Sequence, residues 1–188
     1  KKVGCLGGIC GVYEWTSVVL SYQFIDYLDA HPDIVAKTLT GTVIPSGIPE
    51  GVYKIIGKEG RVTSVDVPQN ISTAPGRINA NNIDLNRNFD CKWQPESKWQ
   101  NKTVSAGTAP FSEPEAKALR DFILATRPTA SVFWHSQSGN VYASQCGDGI
   151  LPGTLNIMNV YAKASGYGAV KTFDAYATTG GADDWMAK

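Results

Sequence analysis

Hydrophobic positions along this chain fall in short blocks whose period alternates between strand and helix. Residues 2–9 form an apolar run with interspersed glycines, the pattern of a strand buried on both faces. Residues 15–28 place Val18, Tyr22 and Ile25 at i, i+4 and i+7, predicting an amphipathic helix that His31-Pro32 ends. Residues 39–44 read as a second strand closed by Pro45, and 130–134 as a third that ends at His135. Between them, Ser112-Glu113-Pro114-Glu115 has the form of a capping box with Ser112 as N-cap. The helix it opens turns Leu119, Phe122 and Ile123 inward. Residues 155–164 predict a further helix with Leu155, Met158 and Ala162 on one face, and 170–173 a last strand. No internal repeat is present. The alternation predicts an α/β fold, a mixed central β-sheet with helices on both faces, with ligands at strand ends and in loops.

Residues 45–100 break this rhythm. They are rich in Gly, Pro, Asn and Ser, yet hold tryptophans and an Asn/Arg cluster, so they read as a long functional loop. Ile48-Pro49-Glu50-Gly51 reads as a turn. In Arg77-Ile78-Asn79-Ala80-Asn81-Asn82-Ile83-Asp84-Leu85-Asn86-Arg87-Asn88-Phe89, two arginines and several carboxamides surround few apolar side chains. Guanidinium groups bind carboxylates through paired hydrogen bonds, so the run fits a carboxylate-binding site. A solvated Asn-rich turn has the same composition.

Composition narrows the function classes. A length of 188 residues fits a single domain spanning 1–188, with 43% apolar residues, 18% charged and no net charge. No basic block points to nucleic acid, and no apolar stretch reaches the ~20 residues of a membrane span. A monomer is expected. Lys1 stands first, on what already reads as a buried strand, and the chain stops at Lys188 inside an apparent helix start. A fragment of a longer protein is therefore expected, secreted or periplasmic in its parent form. Among four cysteines, Cys91 and Cys146 are the candidate disulfide pair, and free buried thiols are an equal alternative. Asn70-Ile71-Ser72 and Asn101-Lys102-Thr103 match the glycosylation triplet, which also arises by chance.

Four segments together resemble the M14 zinc metallocarboxypeptidases, in that family's order. They are Gly8-Ile9-Cys10-Gly11-Val12-Tyr13-Glu14-Trp15, the run from Arg77 to Phe89, Trp134-His135-Ser136, and Tyr176-Ala177-Thr178-Thr179-Gly180-Gly181-Ala182-Asp183-Asp184-Trp185. The resemblance implies zinc as cofactor and peptide or protein C-termini as partners. It implies Glu14 and His135 as metal ligands and Arg77 as the catalytic cation facing the scissile carbonyl. Asn86 and Arg87 would hold the substrate carboxylate, Tyr176 would close over the bound residue, and Ser136 would line the substrate site. Asp183 would lie at the floor of the specificity pocket, implying a preference for C-terminal Lys or Arg. Asp84 would be structural.

Two departures qualify the resemblance. The family's first metal segment reads His-x-x-Glu, but the chain's two histidines are His31 and His135. Cys10 stands where the His belongs, with one extra residue before Glu14, as in branches that read His-Gly-Gly-Tyr-Glu. A thiolate also binds zinc, so Cys10, Glu14 and His135 form the expected ligand set. The family's general base, a Glu shortly after the Asp-Trp pair, has no counterpart here, which implies an incomplete domain with its C-terminal part missing and negligible turnover of its own. The implied activity is hydrolysis of the C-terminal residue of peptides. Its rivals are a non-catalytic peptide-binding relative with a degenerate metal site, and a hydrolase of cell-wall peptides or N-acyl amino acids.

Overall fold

A computed structural model describes residues 1–188. Its strands are β1 (Lys2–Leu6), β2 (Thr40–Ile44), β3 (Glu96–Trp99), β4 (Lys102–Ser105), β5 (Ala130–Phe133), β6 (Asn140–Tyr142) and β7 (Gly168–Val170). Its helices are α1 (Trp15–Ala30), α2 (Pro49–Ile56), α3 (Pro114–Thr126), α4 (Pro152–Ser165) and α5 (Ala182–Trp185). The chain folds as two units, residues 1–85 with 113–136, and residues 86–112 with 137–188.

The first unit is built on a parallel sheet of order β2-β1-β5, in which Leu6 pairs with both Ile44 and Phe133. The chain steps from β1 to β2 on one side and later returns to β5 on the other. Crossovers of this kind are right-handed. The α/β class expected from the periodicity is therefore present, with parallel pairing here and an antiparallel hairpin in the second unit. The predicted strand 2–9 ends at Leu6, because the glycines after it turn the chain. The helix predicted over 15–28 runs on to Ala30, where His31 N–H closes it on Tyr27 and Leu28 carbonyls.

Valines dominate the core of this unit. Val12, Val18, Val19, Val52, Val62 and Val67 are buried together, with Trp15, Tyr22, Ile55 and Ile56 packed against them. Val52, Ile55 and Ile56 come from α2, inside the stretch read as loop. Ile48-Pro49-Glu50-Gly51 is thus the start of a helix and not a simple turn: Pro49 takes the first position and Gly57, at φ 76°, ends it. The Ser112 capping box is likewise corrected. Glu113 is the N-cap of α3, with no side-chain cap, and Pro114 opens the helix. Ala116 is the buried residue of α3, while Phe122 is 37% exposed and does not turn inward as expected.

The second unit holds the β3–β4 hairpin, with Trp99 opposite Lys102, and a parallel β6–β7 pair linked through α4. Met158 and Ala162 of α4 are buried, as its periodicity predicts. The strand expected over 170–173 lies earlier, at β7; Phe173 instead sits edge-on between the rings of Tyr142 and Tyr176. Cys91 and Cys146 are joined in a disulfide, with Cα atoms 5.5 Å apart. Phe89, Phe111 and Trp185 form an aromatic cluster with centroids 5.3–5.8 Å apart. Asn88 ties the loops by donating from Nδ2 to the carbonyls of Ala106 and Ala109 and to Ser112 Oγ. No helix of the chain is long and apolar enough to cross a membrane.

Candidate metal centre

The carboxyl ends of β1 and β5 are register neighbours, and the residues that follow each strand converge there. In a parallel sheet this is where the chain reverses direction around a central strand, the usual place for a ligand. After β1 the chain enters a short 3-10 turn, Gly11–Glu14, with Cys10 at its N-cap position and Glu14 as its last residue. The two side chains therefore leave opposite ends of one turn. Gly11 makes the turn possible: its φ is +55°, and a Cβ there would overlap the carbonyl oxygen of Gly76. Ser17 fixes the loop to α1, accepting from Gly8 N–H at 3.0 Å and donating to the Glu14 carbonyl at 2.7 Å.

His135, just past β5, meets that turn. Its Nδ1 lies 2.8 Å from Glu14 Oε2 and 3.9 Å from Cys10 Sγ. One ligand atom from each of Cys10, Glu14 and His135 lies within 4.8 Å of the others. Cys10 is 1% exposed and Glu14 6%, while the His135 side chain keeps 34% of its surface open to solvent. The site is buried on two sides and accessible on one. Next to it, Ser136 Oγ shares a hydrogen bond with Thr16 Oγ1.

Burial and the Glu14 charge push the Cys10 thiol up, with Arg77 and His135 opposing them. Burial disfavours a charged His135, but Glu14 and Cys10 outweigh it, so the imidazole's pKa stands well above its ordinary value. Arg77 is 2% exposed and anchored by Asp84, whose Oδ2 accepts from Nε and Nη2, each at 2.8 Å. Tyr13 lies beneath its guanidinium, 5.6 Å from Cζ to ring centroid. Burial works against the Arg77 charge, yet Cys10, Asp84 and Glu14 together hold its pKa above the ordinary value. The loop behind Arg77 is tied by hydrogen bonds. Asn79 Oδ1 accepts from the backbone of Asn81 and Ile83, and Glu113 Oε2 accepts from Nδ2 of both Asn79 and Asn81.

The donor set fits zinc. Sulfur, imidazole nitrogen and carboxylate oxygen are its ordinary protein ligands, and three of them leave an open position for chemistry. Atoms sharing one tetrahedral zinc at roughly 2.0–2.3 Å stand roughly 3.3–3.8 Å apart. The Cys10–His135 separation already approaches that range. The Glu14–His135 contact is a hydrogen bond and would have to lengthen.

The remaining predicted site residues belong to the second unit. Arg87 is 2% exposed. Its Nε and Nη2 donate to the Lys98 carbonyl at 3.0 and 2.9 Å, and its Nη1 to the Asn86 carbonyl at 2.5 Å. Asn86 Oδ1 accepts from Ala182 N–H at the start of α5. Gly180, at φ +67°, lets the chain pass against the Arg87 carbonyl, where a Cβ would overlap it. Tyr176 is half-buried at the end of the Tyr142–Phe173 aromatic row. Asp183 lies in the first turn of α5, with Oδ1 3.0 Å from where a Cβ on Gly181 would stand.

Residues 13–188 match the family model for zinc carboxypeptidase, peptidase M14. The chain belongs to this family. The match covers Glu14 and His135 and begins after Cys10, whose sulfur lies within 4.8 Å of a ligand atom of each. Gamma-D-glutamyl-L-diamino acid endopeptidase 1 of Lysinibacillus sphaericus is 28% identical over 116 residues, 58% of this chain. The chain spans 28% of that relative's length. Among solved structures, murein-tripeptide amidase MpaA of Escherichia coli O157 superposes with a TM-score of 0.67 at 22% identity, covering 99% of this chain and 68% of that one. Carboxypeptidase A of Helicoverpa armigera gives 0.68 at 21% identity, covering 100% and 50%. These likenesses establish the carboxypeptidase-like fold of this M14 chain.

Two features of the M14 chain escaped the sequence reading. Asp184, beside the singled-out Asp183, accepts from Gln145 N–H at 2.9 Å. Its carboxyl is raised to about 6, by burial first and by the Asp183 charge next. Tyr13, under Arg77, carries no role in the sequence pattern beyond its place in the metal turn. Adjacent acidic residues ahead of an aromatic, and an aromatic inside the metal turn, were the available signals.

Proposed function

We propose that this chain carries the metal-binding and carboxylate-recognising residues of a zinc peptidase that removes the C-terminal residue of peptides. The observation that carries this reading is the cluster of Cys10 Sγ, Glu14 Oε2 and His135 Nδ1, with the Arg77 guanidinium held close by Asp84. Zinc, when bound, supplies Lewis acidity to the scissile carbonyl and to the attacking water. Glu14 and His135 hold the ion, and Cys10 takes the third position. Arg77 offers a fixed positive charge where negative charge develops on the carbonyl oxygen, and its buried pair with Asp84 keeps it from reorienting. Asn86 and Arg87 recognise the substrate carboxylate. For Arg87 this means exchanging the neutral Lys98 carbonyl for a charged acceptor, which forms the stronger hydrogen bond. Tyr176 covers the bound residue, Ser136 lines the site, and Asp183 favours a basic C-terminal residue.

A second reading is supported by the Lysinibacillus relative and the murein-tripeptide amidase: hydrolysis of a cell-wall peptide that presents a free carboxylate. Both readings use the same zinc and the same clamp. The test is metal content by elemental analysis, followed, in a full-length parent protein, by turnover of linear peptides ending in Lys, Arg, Leu or Phe against gamma-D-glutamyl-diamino acid peptides. About one zinc per chain with cleavage of linear peptides supports the carboxypeptidase. Cleavage of the cell-wall peptides alone selects the second reading. Neither zinc nor turnover, with peptide binding retained, identifies a non-catalytic relative.

A further inference from the structure

We propose that Cys10 makes this a thiolate metal centre, one that holds a thiophilic divalent ion through one sulfur, one nitrogen and one oxygen and discriminates against hard ions. The inference rests on the metallopeptidase reading above, which already places Cys10 third, and adds the thiolate state of that donor and the metal preference that follows from it.

Four observations support it. Cys10 is enclosed, at 1% exposure, and has no disulfide partner. Its sulfur approaches the same ring nitrogen of His135 that faces Glu14, so all three donors address a common space. The only other histidine, His31, is committed elsewhere: its Nδ1 meets the Tyr27 carbonyl at 2.9 Å and its ring stacks on Tyr27 at the end of α1. Within residues 1–188 no other imidazole is therefore placed to replace the sulfur. Finally, Arg77 stands beside the same turn, its guanidinium over the Tyr13 ring and the Gly76 carbonyl against Gly11, so its fixed charge offsets the extra negative charge that sulfur brings.

The same geometry disfavours a nucleophilic cysteine. In a Cys–His–carboxylate relay the thiol meets one ring nitrogen and the carboxylate the other, so that the imidazole can pass a proton. Here Cys10 and Glu14 both address Nδ1. Such convergence suits an ion held between them. Soft thiolate ligands shift selectivity toward zinc and cadmium and away from manganese and magnesium.

The experiment is anaerobic titration of the metal-free protein with Co2+, read by absorbance, with Cd2+ and Mn2+ in competition. We expect about one cobalt per chain, with an intense near-ultraviolet sulfur-to-cobalt band that Cys10→Ser abolishes. The Cd2+-over-Mn2+ preference should fall at least about tenfold in Cys10→His, which replaces soft sulfur by imidazole. The wild-type band needs no variant, so a misfolded substitution leaves the proposal testable. Cobalt bound without a sulfur band overturns the thiolate centre and leaves the metallopeptidase reading intact. A band that survives in Cys10→Ser assigns the sulfur to Cys5 and also overturns it. Failure to bind cobalt, zinc or cadmium at all overturns both.

Discussion

Arg87 gives both its Nε and its Nη2 hydrogens to a single acceptor, the carbonyl oxygen of Lys98 on β3. The guanidinium thus ties the Asn/Arg loop to the hairpin within the second unit. Losing a hydrogen bond from a charged group costs roughly 1.5–3 kcal/mol. Arg87→Ala should lower unfolding free energy by about that amount in urea titrations, and Arg87→Lys should not restore it, because an ammonium cannot make the same fork. If Arg87 also binds substrate, peptides with a free C-terminus should lose about tenfold or more in affinity, and amidated peptides little. Equal losses for both peptide forms would confine Arg87 to its structural role.

The pair of Arg77 and Asp84 is buried at 3% and 0% side-chain exposure. Removing one partner leaves the other charge uncompensated, at a cost of about 3–5 kcal/mol. Asp84→Ala should therefore destabilise strongly, and a double replacement of both residues by apolar ones should recover much of the loss. A double-mutant cycle in denaturant measures this; additive losses would show that the two charges are independent.

Asp184 sets a pH dependence. Its folded-state carboxyl, at about 6, stands above the ordinary value of 3.8, so between these limits the folded chain holds more proton than the unfolded chain. Stability from this group is then greatest at acid pH and falls as pH rises from about 4 to about 6, levelling off above. Asp184→Asn should remove that slope while keeping an acceptor for Gln145 N–H. Urea midpoints followed from about pH 4 to about pH 7 check it, and an unchanged slope in the variant would assign the dependence to another group.

The Cys91–Cys146 disulfide spans 55 residues. Loop-closure entropy for such a span is worth at most about 4 kcal/mol at room temperature. Reduction, or replacement of both cysteines by serine, should lower Tm accordingly while leaving Co2+ binding in the first unit unchanged. Loss of cobalt binding on reduction would contradict this independence.

Much of the first unit was legible because its signals are local. Strands β1 and β5 are short, mostly apolar runs, half-buried along most of their length, and α1 carries its own period. The helix α2 was hidden because Gly, Pro and Asn around it set the character of the whole stretch. The pattern of Val52, Ile55 and Ile56 between Pro49 and Gly57 was nonetheless there to be read. That Arg87 is anchored on Lys98 could not be read, since the partner is a backbone carbonyl placed by hairpin pairing. The capping box failed for a similar reason. Pro114 lets Glu113 serve as N-cap, and the Ser112 hydroxyl is taken up by Asn88. That Asp184 accepts from Gln145 N–H could not be read either, since the two are distant in sequence.

Strand β5 pairs with β1 along one side only, since the sheet order places it at an edge. The four residues that deliver His135 therefore also present backbone donors and acceptors that no strand of the sheet takes up. A further strand laid along that edge would brace the histidine's approach. A second molecule recruited there would instead extend the sheet from one chain into the next, so concentrated solutions should favour self-association unless the edge is covered. Handling this protein and assaying its metal site are thus experiments on the same strand.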